Sequence, residues 1–78
     1  MKLRFENATA LEAGIALLAD ELGIKVVNEG ADVTVSVKEV AQATVAVTLD
    51  EKSAEIVYGG GKARFFRGLD TLCGWLIK

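Results

Sequence analysis

The sequence contains no histidine, one cysteine and five aromatic residues (three Phe, one Tyr and one Trp) among its 78 positions. Without histidine, no imidazole can activate a nucleophile, and a zinc site would lack its usual nitrogen ligand. The single cysteine, Cys73, has no intramolecular disulfide partner, which is typical of a reducing compartment. With so few aromatics, the core must be built from Val, Leu, Ile and Ala. The composition therefore predicts a globular domain without metal or thiol chemistry.

The chain also lacks a long apolar run and an excess of positive charge. No apolar stretch approaches 18 residues, which argues against a transmembrane helix, and residues 2–6 alternate charged and apolar side chains, unlike a signal peptide. The formal net charge is −2 and the nine basic residues are scattered, which argues against binding to nucleic acid or an anionic membrane. We therefore predict a cytoplasmic chain with one small domain over residues 1–78 and no cofactor.

Hydrophobic periodicity predicts two helices. The first, over residues 8–22, carries one apolar stripe, a capping-box pattern at Thr9 and Glu12, and a terminating glycine at Gly23. The second is predicted over residues 62–77. One arc of its helical wheel holds Phe65, Phe66, Leu69, Leu72, Cys73, Leu76 and Ile77. Outside that arc lie Arg64, Arg67, Gly68, Thr71 and Trp75.

Alternation of apolar and polar residues predicts strands over residues 2–6, 33–38, 44–49 and 53–58. Residues 24–27 form a short extended piece, and the polar connection Asp50-Glu51-Lys52 predicts an antiparallel hairpin between the last two strands. We expect an α+β domain of order β-α-β-β-β-α, with an antiparallel sheet of about four strands and two helices on one face. The opposite face carries Thr, Ser, Lys and Arg and should meet solvent or a polar partner.

The final residues carry a family resemblance. A strand, Ala54-Glu55-Ile56-Val57-Tyr58, precedes three glycines and a helix that contains Phe66-Arg67-Gly68-Leu69 followed by Thr71-Leu72. This combination resembles the end of the small N-terminal α+β domain of glycoside hydrolase family 20, the β-N-acetylhexosaminidases. The likeness covers nearly the whole chain in element order but only about twenty residues in sequence. Members of that family often have one glycine before the helix, whereas this chain has Gly59, Gly60 and Gly61.

The resemblance implies a non-catalytic role. In such enzymes the catalytic machinery lies on a (β/α)₈ barrel that follows this domain, where an adjacent Asp-Glu pair supports cleavage assisted by the substrate's own acetamido group. No catalytic residue can be assigned in this chain. Asp50-Glu51 is an adjacent pair, but it falls in a predicted turn where nothing would raise a carboxyl pKa. Asp20-Glu21, near the end of the first helix, is interpreted as solvated charge.

The glycine loop and the single cysteine each have a structural interpretation as well as a functional one. Gly59-Gly60-Gly61-Lys62 resembles a phosphate-binding loop, but Ala63 stands where a P-loop has Ser or Thr, and glycine also serves a tight strand-to-helix connection. Cys73 lies on the apolar arc and is expected to behave as a small buried hydrophobe. We predict no catalytic, cofactor or metal residue here.

Trp75 is the strongest candidate for a binding role, together with Arg64, Arg67 and Thr71. These four residues form a candidate interdomain interface, because Trp and Arg are enriched at interface cores. Alternatively, Trp75 folds over the helix end at the domain margin, or stacks on a sugar ring. The expected function is a domain that supports the barrel of a β-N-acetylhexosaminidase. The alternatives are a free-standing interaction module, such as a homodimer through a sheet edge or the Trp75 face, and a small ligand-binding domain using the glycine loop.

Overall fold

The computed structural model describes residues 1–77, which form an α+β domain of five strands and two α-helices. A 3₁₀ turn at Thr9–Leu11 leads into the first helix. The elements are β1 (Lys2–Glu6), α1 (Glu12–Leu22), β2 (Lys25–Val26), β3 (Val33–Glu39), β4 (Thr44–Asp50), β5 (Ser53–Gly59) and α2 (Lys62–Ile77). The α+β class is confirmed. The short extended piece after the first helix is β2, which is the additional strand that brings the total to five.

The sheet is mixed, so the expectation of a four-stranded antiparallel sheet was wrong. Its strand order is β2-β1-β3-β5-β4, and β1 pairs in parallel with both β2 and β3. β3 also pairs in parallel with β5, and only β4 and β5 are antiparallel. The 3₁₀ turn and α1 return the chain to the start of the sheet, which makes β1-α1-β2 a parallel crossover unit. Side-chain alternation records which face a residue occupies but not the direction of its strand.

Strand β5 lies between β3 and β4, although β4 precedes it in the chain. The segment 40–43 carries the chain past the end of β5 to the outside of the sheet, and the Glu51-Lys52 turn brings it back as β5. This confirms the predicted hairpin. At the crossing point Gly59 is buried, and a Cβ there would collide with the backbone carbonyls of Val40 and Gln42. β4 is consequently an edge strand of seven residues.

The first helix starts differently from its prediction and ends as predicted. Thr9 makes no side-chain cap; instead the Leu11 N–H donates to the Ala8 carbonyl at 2.8 Å, so the capping box is wrong. A 3₁₀ turn satisfies these first backbone groups without a side chain. Gly23 has φ +74°, and the Ile24 N–H donates to the Ala19 carbonyl at 3.0 Å, the Schellman pattern. The helix therefore stops at its glycine.

One face of the sheet packs on both helices, as alternation predicted. The buried side chains form one core: Leu3, Ala8, Leu11, Ile15, Ile24, Val33, Val35, Val37, Ala54, Ile56, Tyr58, Phe65, Leu69, Leu72 and Cys73. The other face is polar and open. On it Arg4 forms an ion pair with Glu6 at 3.6 Å, and the Ser36 hydroxyl donates to Glu6 at 3.4 Å.

Helix α2 has the predicted bounds but a wider buried surface than its apolar arc. Gly68, placed outside the arc by the helical wheel, is buried against β4 and β5. Ile77, placed inside the arc, is half exposed. The reason is the edge position of β4. This strand lies beside α2 and packs against a side of the helix that the expected four-stranded antiparallel sheet would have left uncovered. Within residues 1–77 no helix combines the length and apolarity needed to cross a membrane.

Candidate protein-binding surface

The four predicted interface residues lie along one side of α2, next to strand β4. Arg67, Thr71 and Trp75 line a cavity of about 230 Å³ together with Gly68 and the β4 side chains of Val45 and Val47. Arg67 also borders a neighbouring cavity of about 260 Å³, where it meets Arg64, Gly60 and Ala63. Arg67 lines both cavities. We call this surface the β4–α2 groove and define it by Val45, Val47, Arg64, Arg67, Thr71 and Trp75.

Gly68 sets the depth of the groove by letting the helix approach the sheet. A Cβ built on Gly68 would lie 2.9 Å from a Val45 methyl, 3.2 Å from an Ile56 methyl and 3.3 Å from a Val47 methyl. The first of these distances is too short for carbon atoms, so only glycine fits without a shift. The glycine of the Phe66-Arg67-Gly68-Leu69 motif thus has a packing role.

The apolar part of the groove is open to solvent. Trp75 is 50% exposed, and Val45 and Val47 are half-buried; Leu49, further along β4 and outside the groove, is 37% exposed. A half-exposed tryptophan beside half-exposed strand residues forms one continuous apolar strip. Trp75 therefore lies at the domain margin and on an uncovered surface at once, so the marginal position and the interface role are compatible.

The polar part of the groove is cationic. Within residues 1–77 the ion pair of Arg4 with Glu6 is the sole salt bridge, so neither Arg64 nor Arg67 is neutralised by an acidic side chain. The Arg64 side chain lies over Gly60, next to Ala43, because a Cβ on that glycine would be 2.8 Å from the guanidinium Nε and 2.9 Å from the alanine methyl. The Thr71 hydroxyl donates to the Arg67 carbonyl at 3.1 Å, so its proton is already used. The arginines are the groups free to meet an anionic partner.

The backbone of β4 adds a row of unpaired groups. The Tyr58 carbonyl accepts from the Val40 N–H, and the Lys52 carbonyl accepts from the Thr34 N–H, both on the β3 side of β5. Since successive residues direct their backbone groups to opposite sides, the odd-numbered residues of β5 bond toward β4. In the observed register those face the even-numbered residues of β4. Val45, Val47 and Leu49 therefore direct their N–H and C=O groups to the open edge.

Sequence reasoning missed this edge because it required the strand order. The hairpin of β4 and β5 was predicted, but nothing in the pattern shows which of the two strands lies outside. Also missed were the exposed Leu17 on α1 (81%) and Val26 on β2 (45%). Near Val26 a cavity of about 460 Å³ is lined by Phe5, Glu12, Ile15, Ala16, Val26, Val27 and Asn28.

The two adjacent acidic pairs lie at exposed positions. Glu51 is the first residue of the two-residue turn between β4 and β5, with φ +48°, and both it and Asp50 are exposed. Asp20 and Glu21 are exposed near the end of α1. Over residues 1–77 no group of three or more acidic or cysteine side chains could hold a metal ion.

The glycine loop is accounted for by its backbone. Gly60 has φ +88° and Gly61 φ +114°, which side chains rarely adopt, and Gly59 meets the 40–43 crossing. The Arg64 N–H donates to the Gly61 carbonyl at 3.2 Å, and α2 begins at Lys62. Each glycine thus has a structural reason, and phosphate binding has no support beyond the sequence.

Cys73 is buried on α2, as expected. Burial raises the pKa of its thiol, and the nearby Asp70 carboxylate adds to the rise. Both causes favour the neutral thiol, which is a poor nucleophile. Another cavity, of about 350 Å³, borders this residue and is lined by Glu21, Leu22, Asp70, Cys73, Gly74 and Ile77.

The described residues thus bring together a half-exposed tryptophan, two unneutralised arginines and an unpaired strand edge on one surface. Compared with family models, with curated proteins and with solved structures, the chain matched none.

Proposed function

We propose that this chain is a non-catalytic protein-binding domain, the N-terminal accessory domain of a β-N-acetylhexosaminidase-like glycoside hydrolase. Its β4–α2 groove is the protein interface, and its role is to support the catalytic barrel of the same parent chain. The observation that carries this proposal is the groove itself, where Trp75 stands half exposed beside unneutralised arginines and an open strand edge. Exposed surfaces of this composition are typical of protein interfaces.

The resemblance to the hydrolase family supports the choice of parent through the motif Phe66-Arg67-Gly68-Leu69. Three of its residues have packing roles: Phe66 lies against Gly14 of α1, Gly68 against β4, and Leu69 is fully buried. Arg67 alone faces solvent, in the groove. A motif that fixes α2 on the sheet and leaves one arginine outward fits an accessory domain that docks through that helix.

Two experiments test the parent and the lack of chemistry. We expect no turnover of an aryl N-acetylglucosaminide by the isolated chain, since both adjacent acidic pairs, Asp20-Glu21 and Asp50-Glu51, are exposed to solvent; turnover above background would overturn the proposal. The coding sequence beyond residue 78 should encode a (β/α)₈ barrel with an adjacent Asp-Glu pair. A different downstream domain would reject this parent.

A third experiment tests the surface. With a co-expressed barrel, Trp75→Ala should weaken capture of the barrel about tenfold or more and Arg67→Ala somewhat less, since truncated Trp and Arg anchors cost the most at interfaces. Leu17→Ala and Lys38→Ala are matched controls, because both side chains are exposed and lie outside the groove. Equal capture by all four variants would show that the groove is not the interface.

A second candidate function is a free-standing interaction module that self-associates. The observation that favours it is the seven-residue edge of β4, which offers backbone groups to another strand. Both candidates require the β4–α2 groove to be a protein interface, and they differ in what occupies it.

A further inference from the structure

We infer that a second copy of this chain pairs with the β4 edge, antiparallel and around a two-fold axis at Val47. The inference rests on the proposed function in one respect, that the β4–α2 groove is a protein interface. It names a second copy of the chain as the occupant of that groove. A second copy takes the place of the barrel in the groove, as in the second candidate function.

The edge of β4 carries none of the features that normally block strand addition. Over Thr44–Asp50 it has no proline and no lysine, and its register with β5 runs without a bulge. Soluble proteins usually protect an open edge by one of these means. At the opposite edge β2 has two residues and carries Lys25. Since only one edge is suited to pairing, the assembly closes as a dimer and does not extend into a filament.

The outward backbone groups select the register. Val45, Val47 and Leu49 can all bond across an antiparallel pair only when Val47 faces its own copy and Val45 faces Leu49 of the second copy. Each of these three facing pairs exchanges two hydrogen bonds, roughly six in all. A shift by one residue along either strand leaves outward groups opposite inward ones. A shift by two residues loses one of the pairs. Because the odd-numbered residues of β4 direct their backbone groups outward, as the β5 bonds show, the two-fold axis lies at Val47.

The charges at the two ends of β4 are complementary under this symmetry. Arg64 lies beside Ala43, at the start of the strand, and Arg67 is next to it. Asp50 and Glu51 lie at the other end. In the antiparallel pair, Glu51 of the second copy faces Ala43 and so meets the arginines, and the same contact occurs again across the dyad. Opposite charges brought together twice favour self-association.

The apolar strip fits the same arrangement. The side chains of Val45, Val47 and Leu49 lie on the α2 side of the sheet, so the two strips meet on one face. Leu49 packs beside Val45 of the second copy, and the two Trp75 side chains flank the central pair of Val47 residues. The exposed apolar residues next to β4 are thereby covered.

The test is a charge exchange followed by sedimentation equilibrium of the chain at two salt concentrations. We expect a mass of twice 8.3 kDa that falls toward 8.3 kDa on dilution. Glu51→Lys and Arg64→Glu should each raise the dimer dissociation constant about tenfold in low salt, since each change alters two contacts, and less in high salt. The double variant should recover most of the affinity. Within one chain these residues are roughly 25 Å apart by strand length, beyond the screening distance, so recovery would report a contact between chains.

The matched control is Glu29→Lys, which makes the same charge change in the exposed turn between β2 and β3 and should leave the dissociation constant unchanged. Circular dichroism of each variant establishes that it folds. A chain that stays at 8.3 kDa at all concentrations, or a double variant as weak as the two single ones combined, overturns the inference.

Cross-linking tests the register. Ala46 faces Thr48 of the second copy in this arrangement, so chains with Ala46→Cys should form disulfides with chains carrying Thr48→Cys. Either variant alone should not, because equal positions then lie about 8 Å apart, too far for a disulfide. Cross-linking within either pure variant would reject the dyad at Val47.

If the chain is monomeric while Trp75→Ala weakens barrel capture, the second copy is rejected and the accessory role stands. If the chain is dimeric and the coding sequence lacks a barrel, the accessory role is rejected and the second copy stands.

Discussion

Gly68 shows how one missing side chain sets the position of a helix. The motif glycine lies where α2 meets β4 and β5, and the sequence did not predict this because the helical wheel placed the glycine with the exposed residues. A wheel treats the sheet as one flat contact, whereas the edge strand extends that contact around the helix. The glycine at the end of α1 was predicted correctly because its role depends only on local chain geometry.

Gly68→Ala is expected to destabilise the domain by about 1–3 kcal/mol, since the added methyl overlaps Val45 and the helix must move outward. Gly74→Ala, on the same helix, is the matched control because a Cβ there meets no atom within 4 Å. That change should raise stability by up to about 1 kcal/mol through helix propensity. Urea unfolding followed by circular dichroism measures both, and an equal effect of the two would contradict the packing role of Gly68.

Glu51 occupies a backbone conformation that suits glycine better. With φ +48° in the two-residue turn, a glutamate is strained by about 1 kcal/mol. Glu51→Gly should therefore stabilise the chain by about that amount. The measurement belongs at low protein concentration and high salt, so that loss of the charge at the proposed dimer contact does not interfere. Lys52→Gly, the next residue, lacks a positive φ and should be neutral or destabilising; the opposite ranking would show that the turn is unstrained.

At the scale of elements, the positions of strands and helices were predictable, but apart from the β4–β5 hairpin their pairing was not. The alternation of Val33, Val35 and Val37 fixes which side chains are buried whatever the direction of the neighbouring strand. Direction depends on the connections, and here the helical crossover, the 27–32 connection and the 40–43 crossing together make three of the four strand pairs parallel. The candidate surface was only partly predictable for the same reason. The helical wheel predicts its four α2 residues, whereas identifying their β4 neighbours requires the strand order.

The edge position of β4 predicts an alternating pattern of amide exchange. In the monomer, the amides of Val45, Val47 and Leu49 point away from β5 and should exchange with solvent much faster than those of Ala46 and Thr48, which bond to β5. Hydrogen exchange observed by NMR at low protein concentration measures this contrast. At high concentration the fast amides should become protected if a second strand covers them. Uniform protection along β4 in the dilute sample would mean that its backbone groups were assigned to the wrong sides.

At the scale of the whole molecule, the buried apolar residues form one layer between the sheet and the two helices, and the β4–α2 groove lies at the edge of that layer. No charged side chain is buried among the described residues. Two weak acids inside the core link stability to pH. Burial raises the pKa of Cys73, with a smaller effect from Asp70, and raises the pKa of Tyr58, with a smaller effect from Glu39.

Stability should therefore fall on the alkaline side. A weak acid whose pKa is higher in the folded than in the unfolded chain keeps its proton in the fold after the unfolded chain has lost it. The folded state then binds more protons, and the free energy of unfolding decreases as pH rises. Its contribution is complete below the ordinary pKa, 9.0 for the thiol and 10.0 for the phenol, and is lost as pH rises through the folded value. Urea midpoints from pH 7 to 11 should be level at first and then decline from about pH 9. Cys73→Ala should remove the first part of that decline and Tyr58→Phe the second; a decline unchanged in both variants would assign it to surface groups instead.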